Sequence, residues 1–266
     1  WKELEKFTVD EWMRKWAGNQ VYELMWQPLM IGKFGERYAR SVNMAWMWAR
    51  IKARTTQLGT FEGGFQTFAD KLAARVEQMG VKIHLSAPIK RIAPKQEGGL
   101  SLETPSAVEH FENCLVTTSP GLLARLAPDL PADYLHGLLE LKSMGAVVMV
   151  LAIKHRLSER GYYWYNIPKS AGFPFLALVE HTNFVSPEHF GGEHIIYIGD
   201  YLETDHEYFR LSQDELLQRF LPSLTAINPK FTPDWVRKTW LFRTSYAQPI
   251  PLVDHSRNIP PIQTPI

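Results

Sequence analysis

Apolar positions recur at helical spacing over residues 1 to about 56, then shift to a period of two further along the chain. Thr8-Val9-Asp10-Glu11 forms a capping box, in which the Thr8 hydroxyl accepts from the Glu11 amide and the Glu11 carboxylate reaches back. Val9, Trp12, Met13 and Trp16 then fall on one face, and Gly18-Asn19 marks a stop. A second helix carries Val21, Tyr22, Leu24 and Met25 and ends before Pro28. A third runs from about Val42 to Ala53. Gly63 and Gly64 open a fourth, with Phe65, Phe68, Ala69, Leu72, Ala73, Val76 and Met79 on its stripe and Gly80 as its stop. Val81, Ile83 and Leu85 then alternate as a strand does.

From 88 to 118 the pattern predicts short strands, with Ile89 and Ile92 on one, Gly98-Gly99 as a turn, and Leu100 and Leu102 on the next. Cys114-Leu115-Val116 reads as a further apolar strand running into Thr117, Thr118, Ser119 and Pro120. Residues 133–141 read as a helix, and strands are expected at 145–153, around 173–179, at 194–201 and at 235–243. A second capping box, Ser212-Gln213-Asp214-Glu215, opens a helix to about Leu221. Helices, a β-α-β piece, a small meander and long strands in that order predict a mixed α+β (α/β) chain. A mixed sheet with helices is expected, and not a uniformly alternating doubly wound fold.

Length and charge narrow the picture. At 266 residues the chain can bury a sizeable core. A net charge of +1 gives no basic face for nucleic acid. The single cysteine, Cys114, excludes an internal disulfide and a multi-thiolate metal site, and its apolar neighbours predict a buried structural thiol. No stretch approaches the roughly 18 apolar residues of a membrane span, and there is no signal peptide, which predicts a cytoplasmic setting. Six of the nine tryptophans fall by residue 48. They predict a helical lobe with an aromatic core; a sharper reading makes them an apolar substrate cavity or a face for peripheral membrane contact.

Dinucleotide, phosphate-loop, zinc-protease and nucleophile-elbow motifs are all absent. His189 and His194 flank Gly191-Gly192 without further ligands, so no metal is expected there. Asp200, Glu203, Asp205 and Glu207 with His206 read as a solvated stretch between strand and helix.

Four segments together resemble the flavin-dependent amine oxidase, protoporphyrinogen oxidase and phytoene desaturase superfamily. They are Phe61-Glu62-Gly63-Gly64-Phe65-Gln66, Ala87-Pro88-Ile89-Lys90-Arg91-Ile92, Cys114 to Pro120, and Arg243 to Pro249 followed by His255. The resemblance implies FAD as cofactor. It implies cofactor contacts at Gly63, Gly64, Ile89, Thr118, Ser119, Pro120, Ala247 and Pro249, with the adenine at the backbone of Ile89. Glycine at the pair lets backbone approach a flat ligand. Substrate contacts are implied at Phe65, Gln66, Met149, Tyr163, Trp164 and Tyr246.

The same resemblance divides the chain into a helical lobe at 1–58, part of an FAD-binding domain at 59–125, a substrate-domain sheet at 126–255, and a return towards the FAD domain at 256–266. The family's opening G-x-G-x-x-G unit and closing Gly-Asp segment are not in the sequence. The chain therefore reads as the central portion of such an enzyme, redox-incompetent by itself. Amine oxidases often carry a lysine facing flavin N5. The matching strand here, Gly145 to Val150, places Met149 at that position. This points to dehydrogenation of a larger apolar small molecule by hydride transfer to N5. A flavin-dependent non-redox sugar isomerase and a non-enzymatic binding module are the alternatives. No side chain is singled out as a catalytic base.

Overall fold

The computed structural model describes residues 1–55 and 57–266. The helices are α1 (Val9–Ala17), α2 (Asn19–Val21), α3 (Gln27–Tyr38), α4 (Met44–Lys52), α5 (Gly64–Gln78), α6 (Pro120–Leu126), α7 (Ala132–Glu140), α8 (Gln213–Ile227) and α9 (His255–Asn258). The strands are β1 (Arg91–Pro94), β2 (Leu100–Glu103), β3 (Val108–Phe111), β4 (Ser143–Ile153), β5 (Trp164–Asn166), β6 (Ala177–Glu180), β7 (His194–Leu202) and β8 (Val236–Pro249). The class is mixed α+β, as the order of patterns predicts. These elements fall into two compact units, Trp1–Arg50 with Lys142–His255, and Ile51–Leu141 with Ser256–Ile266. No helix among the described residues is long and apolar enough to cross a membrane.

The first unit is built on a five-stranded sheet of order β5-β6-β7-β4-β8. Its pairings are antiparallel throughout, where the sequence pattern predicts a mixed sheet. Against one face lies α8, which buries Leu216, Phe220, Leu221 and Leu224. These meet Val147, Met149, Leu151, Leu178, Ile196 and Ile198 in the main core. The capping box at Ser212 and Glu215 forms as predicted. The helix nevertheless runs six residues past Leu221 and through Pro222. Proline inside a helix costs about 3 kcal/mol, and the burial of Leu221 and Leu224 on either side of it opposes that cost.

A helical lobe forms the second core of this unit, with Val9, Tyr22, Met30, Phe34 and Met47 around Met144 and Ile250. The capping box at Thr8 and Glu11 is present. The second predicted helix departs from expectation in two ways. Leu24 and Met25 are exposed, 71% and 61%. The chain also passes through a wide π turn at Tyr22–Trp26 and continues past Pro28, which sits in the first turn of α3, where a missing amide hydrogen is tolerated. A bend at Gly35 (φ 67°) interrupts α3.

The second unit holds α5 and an antiparallel three-stranded sheet β1-β2-β3. Gly80 ends the α5 turn with φ 91°, and the Val81 amide bonds back to the Val76 carbonyl, as a glycine C-cap should. Four expectations fail here. Residues 81–85 form no strand, and Val81, Ile83 and Leu85 are exposed. The same holds at 114–118, where Leu115 is exposed. A strand needs a neighbour to take its amide and carbonyl groups, and among the described residues neither segment has one. Cys114 is therefore exposed and not a buried thiol. The stripe on α5 is likewise uncovered: the helix buries no residue, and Phe61 stacks on Phe68 at 4.6 Å between centroids.

Candidate functional site

Residues directly opposite across a ladder present their side chains to the same face. Val148 pairs with Gly199 on one side and Phe242 on the other; Val150 pairs with Tyr197 and Trp240. Tyr197 in turn pairs with Val179, and Val179 with Trp164. Trp164, Val179, Tyr197, Gly199, Val148, Val150, Trp240 and Phe242 thus share the face away from α8. Its aromatic residues remain open to solvent: Trp164 is 52% exposed, Trp240 42%, Phe242 57% and Tyr197 36%. One end of this face is covered. There Met144 enters the helical core and Tyr201 packs against it. Gly32 allows α3 to close on the sheet, since a Cβ there would lie 2.4 Å from Leu176 Cδ1.

The result is an apolar surface walled at the Met144 end and exposed from Phe242 to Trp240 and Tyr197, beyond which Ala152 and Ile195 on the same face are buried again. From Tyr201 to Tyr197 it extends about 13 Å along β7, at roughly 3.3 Å per residue. Gly199 keeps its centre flat; a Cβ there would stand 2.8 Å from the Val147 carbonyl. At the Tyr197 end His181 packs edge-on to the Tyr197 ring, 5.7 Å between centroids, and burial lowers the His181 pKa. Burial raises the Tyr197 and Tyr246 phenols.

The predicted substrate residues divide on this geometry. Trp164 stands on the open face, with its indole N–H donating to Asn166 at 2.8 Å. Tyr163 is half-buried and packs on Phe184. Met149 does not reach the open face. It is fully buried in the α8 core, because the two-residue period sends it opposite to Val148 and Val150. The strand therefore presents two valines where a methionine was expected. Tyr246 and Ala247 lie in a bulge: Ala146 pairs with Thr244 but Met144 with Gln248, so β8 carries two extra residues there. Gly145 sits opposite that bulge, where a Cβ would meet Phe209 at 2.5 Å and the Thr244 carbonyl at 2.9 Å. Pro249 ends β8, an edge strand, where a lost amide is tolerated.

In the second unit Gly63 and Gly64 both adopt the left-handed conformation, φ 77° and 80°, which side-chain-bearing residues rarely take. Phe65 projects into solvent at 71% exposure, and Gln66 is exposed with its amide on Asp70 at 2.7 Å. Ile89 falls two residues before β1 and is half-buried. Ser119 precedes α6, with Pro120 at its first position and Thr118 exposed.

Tyr197, Trp240, Phe242 and the two valines are the site residues that sequence reasoning misses. The signal was available, since Tyr197-x-Gly199-x-Tyr201 and Trp240-x-Phe242-x-Thr244 alternate on the face opposite the buried set. Asp200 corrects the reading of an acidic solvated stretch. It lies within β7, 6% exposed, paired with Lys169, and burial holds its carboxyl above the usual range despite that cation. No group of three or more His, Cys, Asp or Glu residues suited to a metal occurs among the described residues.

A search of curated protein sequences finds no match. Solved structures do match. A putative protoporphyrinogen oxidase from Exiguobacterium sp. 255-15 is 17% identical with a TM-score of 0.74, over 95% of this chain and 57% of that one. A reduced UDP-galactopyranose mutase is 12% identical with a TM-score of 0.69, over 95% and 57%. Cyclohexylamine oxidase from Brevibacterium oxydans IH-35A is 14% identical with a TM-score of 0.63, over 97% and 60%. The chain thus spans no more than 60% of the length of these structures, and at such identities the likeness establishes the fold. The profile of the flavin containing amine oxidoreductases matches residues 2–266, and the chain belongs to that family.

Proposed function

We propose that this chain forms the substrate-binding part of a flavin-dependent oxidoreductase that dehydrogenates an apolar small molecule. The carrying observation is the open aromatic face of the five-stranded sheet in a chain of a flavin family. Trp164, Tyr197, Trp240 and Phe242 offer apolar area and ring faces to a substrate, while Val148 and Val150 give it a floor with no polar group to solvate. Their joint role is to orient the reacting C–H or N–H bond and to exclude water.

FAD is the cofactor that family membership implies, and when bound it supplies the two-electron acceptor. The residues of the second unit fit part of such a group. Two consecutive left-handed glycines expose backbone without side chains, and a Cβ on Gly64 would meet nothing within 4 Å, so a flat ligand can approach. Gly63, Gly64, Ile89 and the Thr118-Ser119-Pro120 turn are the groups that would touch it. The substrate-facing strand carries no lysine at Val148 or Val150. A side chain that holds a proton at the centre of the face is therefore lacking; Tyr197 with His181 stands at one end of it and Tyr201 at the other. This favours hydride removal from an apolar substrate over amine oxidation assisted by a lysine-held water.

The test is the visible spectrum of the protein expressed from its complete reading frame, followed by anaerobic addition of apolar candidates. A bound-flavin spectrum that bleaches on addition supports the reading. A flavin spectrum that never bleaches while product forms indicates the non-redox isomerase. A colourless protein that takes up no added FAD overturns the proposal in favour of a binding module.

A further inference from the structure

At the walled end of the open face stands Lys33, a lysine with no ion pair among the described residues. Lys33 projects from α3 with its ammonium 4.9 Å from the Tyr201 ring centroid, and Tyr201 lies on the same sheet face as Tyr197 and Gly199. The side chain is half-buried. No carboxylate comes within ion-pair distance of it among the described residues, and the charge it feels most is another cation, Arg50. Arg50 rests over the Trp46 ring at 5.4 Å, also without an ion pair among the described residues. Half-burying an ammonium is unfavourable, and a second cation nearby makes it more so. Lysines elsewhere in this unit are placed differently: Lys6 pairs with Glu3, Lys169 with Asp200 and Lys230 with Glu159, while Lys2, Lys15, Lys154 and Lys238 are exposed. An unpaired, desolvated cation beside an apolar face is the arrangement that an anionic ligand completes.

We infer that the substrate is an apolar anion, with its negative group on Lys33 and its apolar body along the sheet towards Tyr197. The inference rests on the open face being the substrate surface, and it adds the substrate's charge and direction. The roughly 13 Å from Tyr201 to Tyr197 sets the length of the body that the face can cover. Arg50 contributes long-range attraction, while Lys33 makes the contact. An ammonium is a compact point charge and can take one anionic group without a paired-oxygen geometry; a carboxylate is the simplest such group.

The experiment compares two fluorescent probes of one shape, 4-(1-pyrenyl)butyrate and 4-(1-pyrenyl)butanol, titrated into the full-length flavoprotein. The acid should bind at least about tenfold more tightly than the alcohol at low salt, and added salt should erode that difference. Lys33→Met should abolish the preference and leave the alcohol's affinity unchanged; Lys33→Arg should retain part of it. Trp240→Ala should weaken both probes alike. Equal affinity of acid and alcohol in the unmodified protein overturns the inference without any variant. A preference that survives Lys33→Met overturns it as well. Failure of Trp240→Ala to weaken either probe instead overturns the open face as the binding surface, so the two readings fail separately.

Discussion

The two faces of the five-stranded sheet use the same alphabet to opposite ends. Towards α8, Val147, Met149, Leu151 and Ile198 lose essentially all solvent contact against Phe220 and Leu224. On the other side, one residue along each strand, Val148, Val150, Trp240 and Phe242 stay partly or largely wet. Hydrophobicity alone does not separate the two sets. What separates them is whether an element of the chain covers them. A large apolar patch kept uncovered on one side of a well-packed sheet marks a surface held for something else.

That contrast can be broken by mutation, and the largest effect belongs to the sealed face. Phe220→Ala should cost about 3–5 kcal/mol of stability in urea denaturation, because its ring is 1% exposed between Phe175 and Tyr208. Phe242→Ala on the open face should cost no more than about 1 kcal/mol in the same assay, because it leaves no closed cavity. Equal losses would erase the distinction.

Next in size is the bulge beside the open face. Gly145→Ala should destabilise by about 1–3 kcal/mol, since its methyl would meet the Thr244 carbonyl and the Phe209 ring. Phe209→Ala combined with Gly145→Ala should recover part of that loss, and the double-mutant cycle measures how much.

A smaller effect is in the pH dependence. Burial lowers Lys33 from 10.5 to about 8. The unfolded chain therefore binds the proton more readily than the folded one between those values, so this group's contribution makes stability rise as pH goes from about 8 to 10.5. Below pH 8 both states are protonated and the full penalty persists. Lys33→Met should raise stability most at neutral pH, with the difference from the unmodified protein shrinking through that window. Denaturation curves at successive pH values check the sign.

Much of the fold was legible. Both capping boxes, the Gly80 stop, the Gly98-Gly99 turn and the three long strands β4, β7 and β8 follow from local chemistry that the chain carries within a few residues, while the strand expected around 173–179 forms only at Ala177–Glu180. The failures share a cause. Residues 81–85 and 114–118 have strand composition, yet a strand is completed by a partner, and local pattern does not say whether one is present. Pro28 failed as a stop and the helix expected to end near Leu221 ran on through Pro222, because a π turn and a buried apolar stripe, both set by tertiary packing, decide where these helices end. The left-handed backbone at Gly63 and Gly64 was readable because such conformations demand glycine. Met149 was misplaced by a one-residue slip, which in a strand exchanges one face for the other. Lys33 left no signal, since a lysine three residues from Met30 and one from Phe34 looks like any solvated helix position until the sheet closes on it.

The most direct test of the open face is the affinity of the neutral 4-(1-pyrenyl)butanol for Phe242→Lys, read beside its denaturation midpoint. Phe242 is already 57% exposed, so the fold should tolerate the change while a charge is placed on the apolar surface. The account predicts binding weakened by at least about tenfold with the midpoint unchanged. Unaltered binding in a folded Phe242→Lys variant would contradict it and move the substrate surface elsewhere.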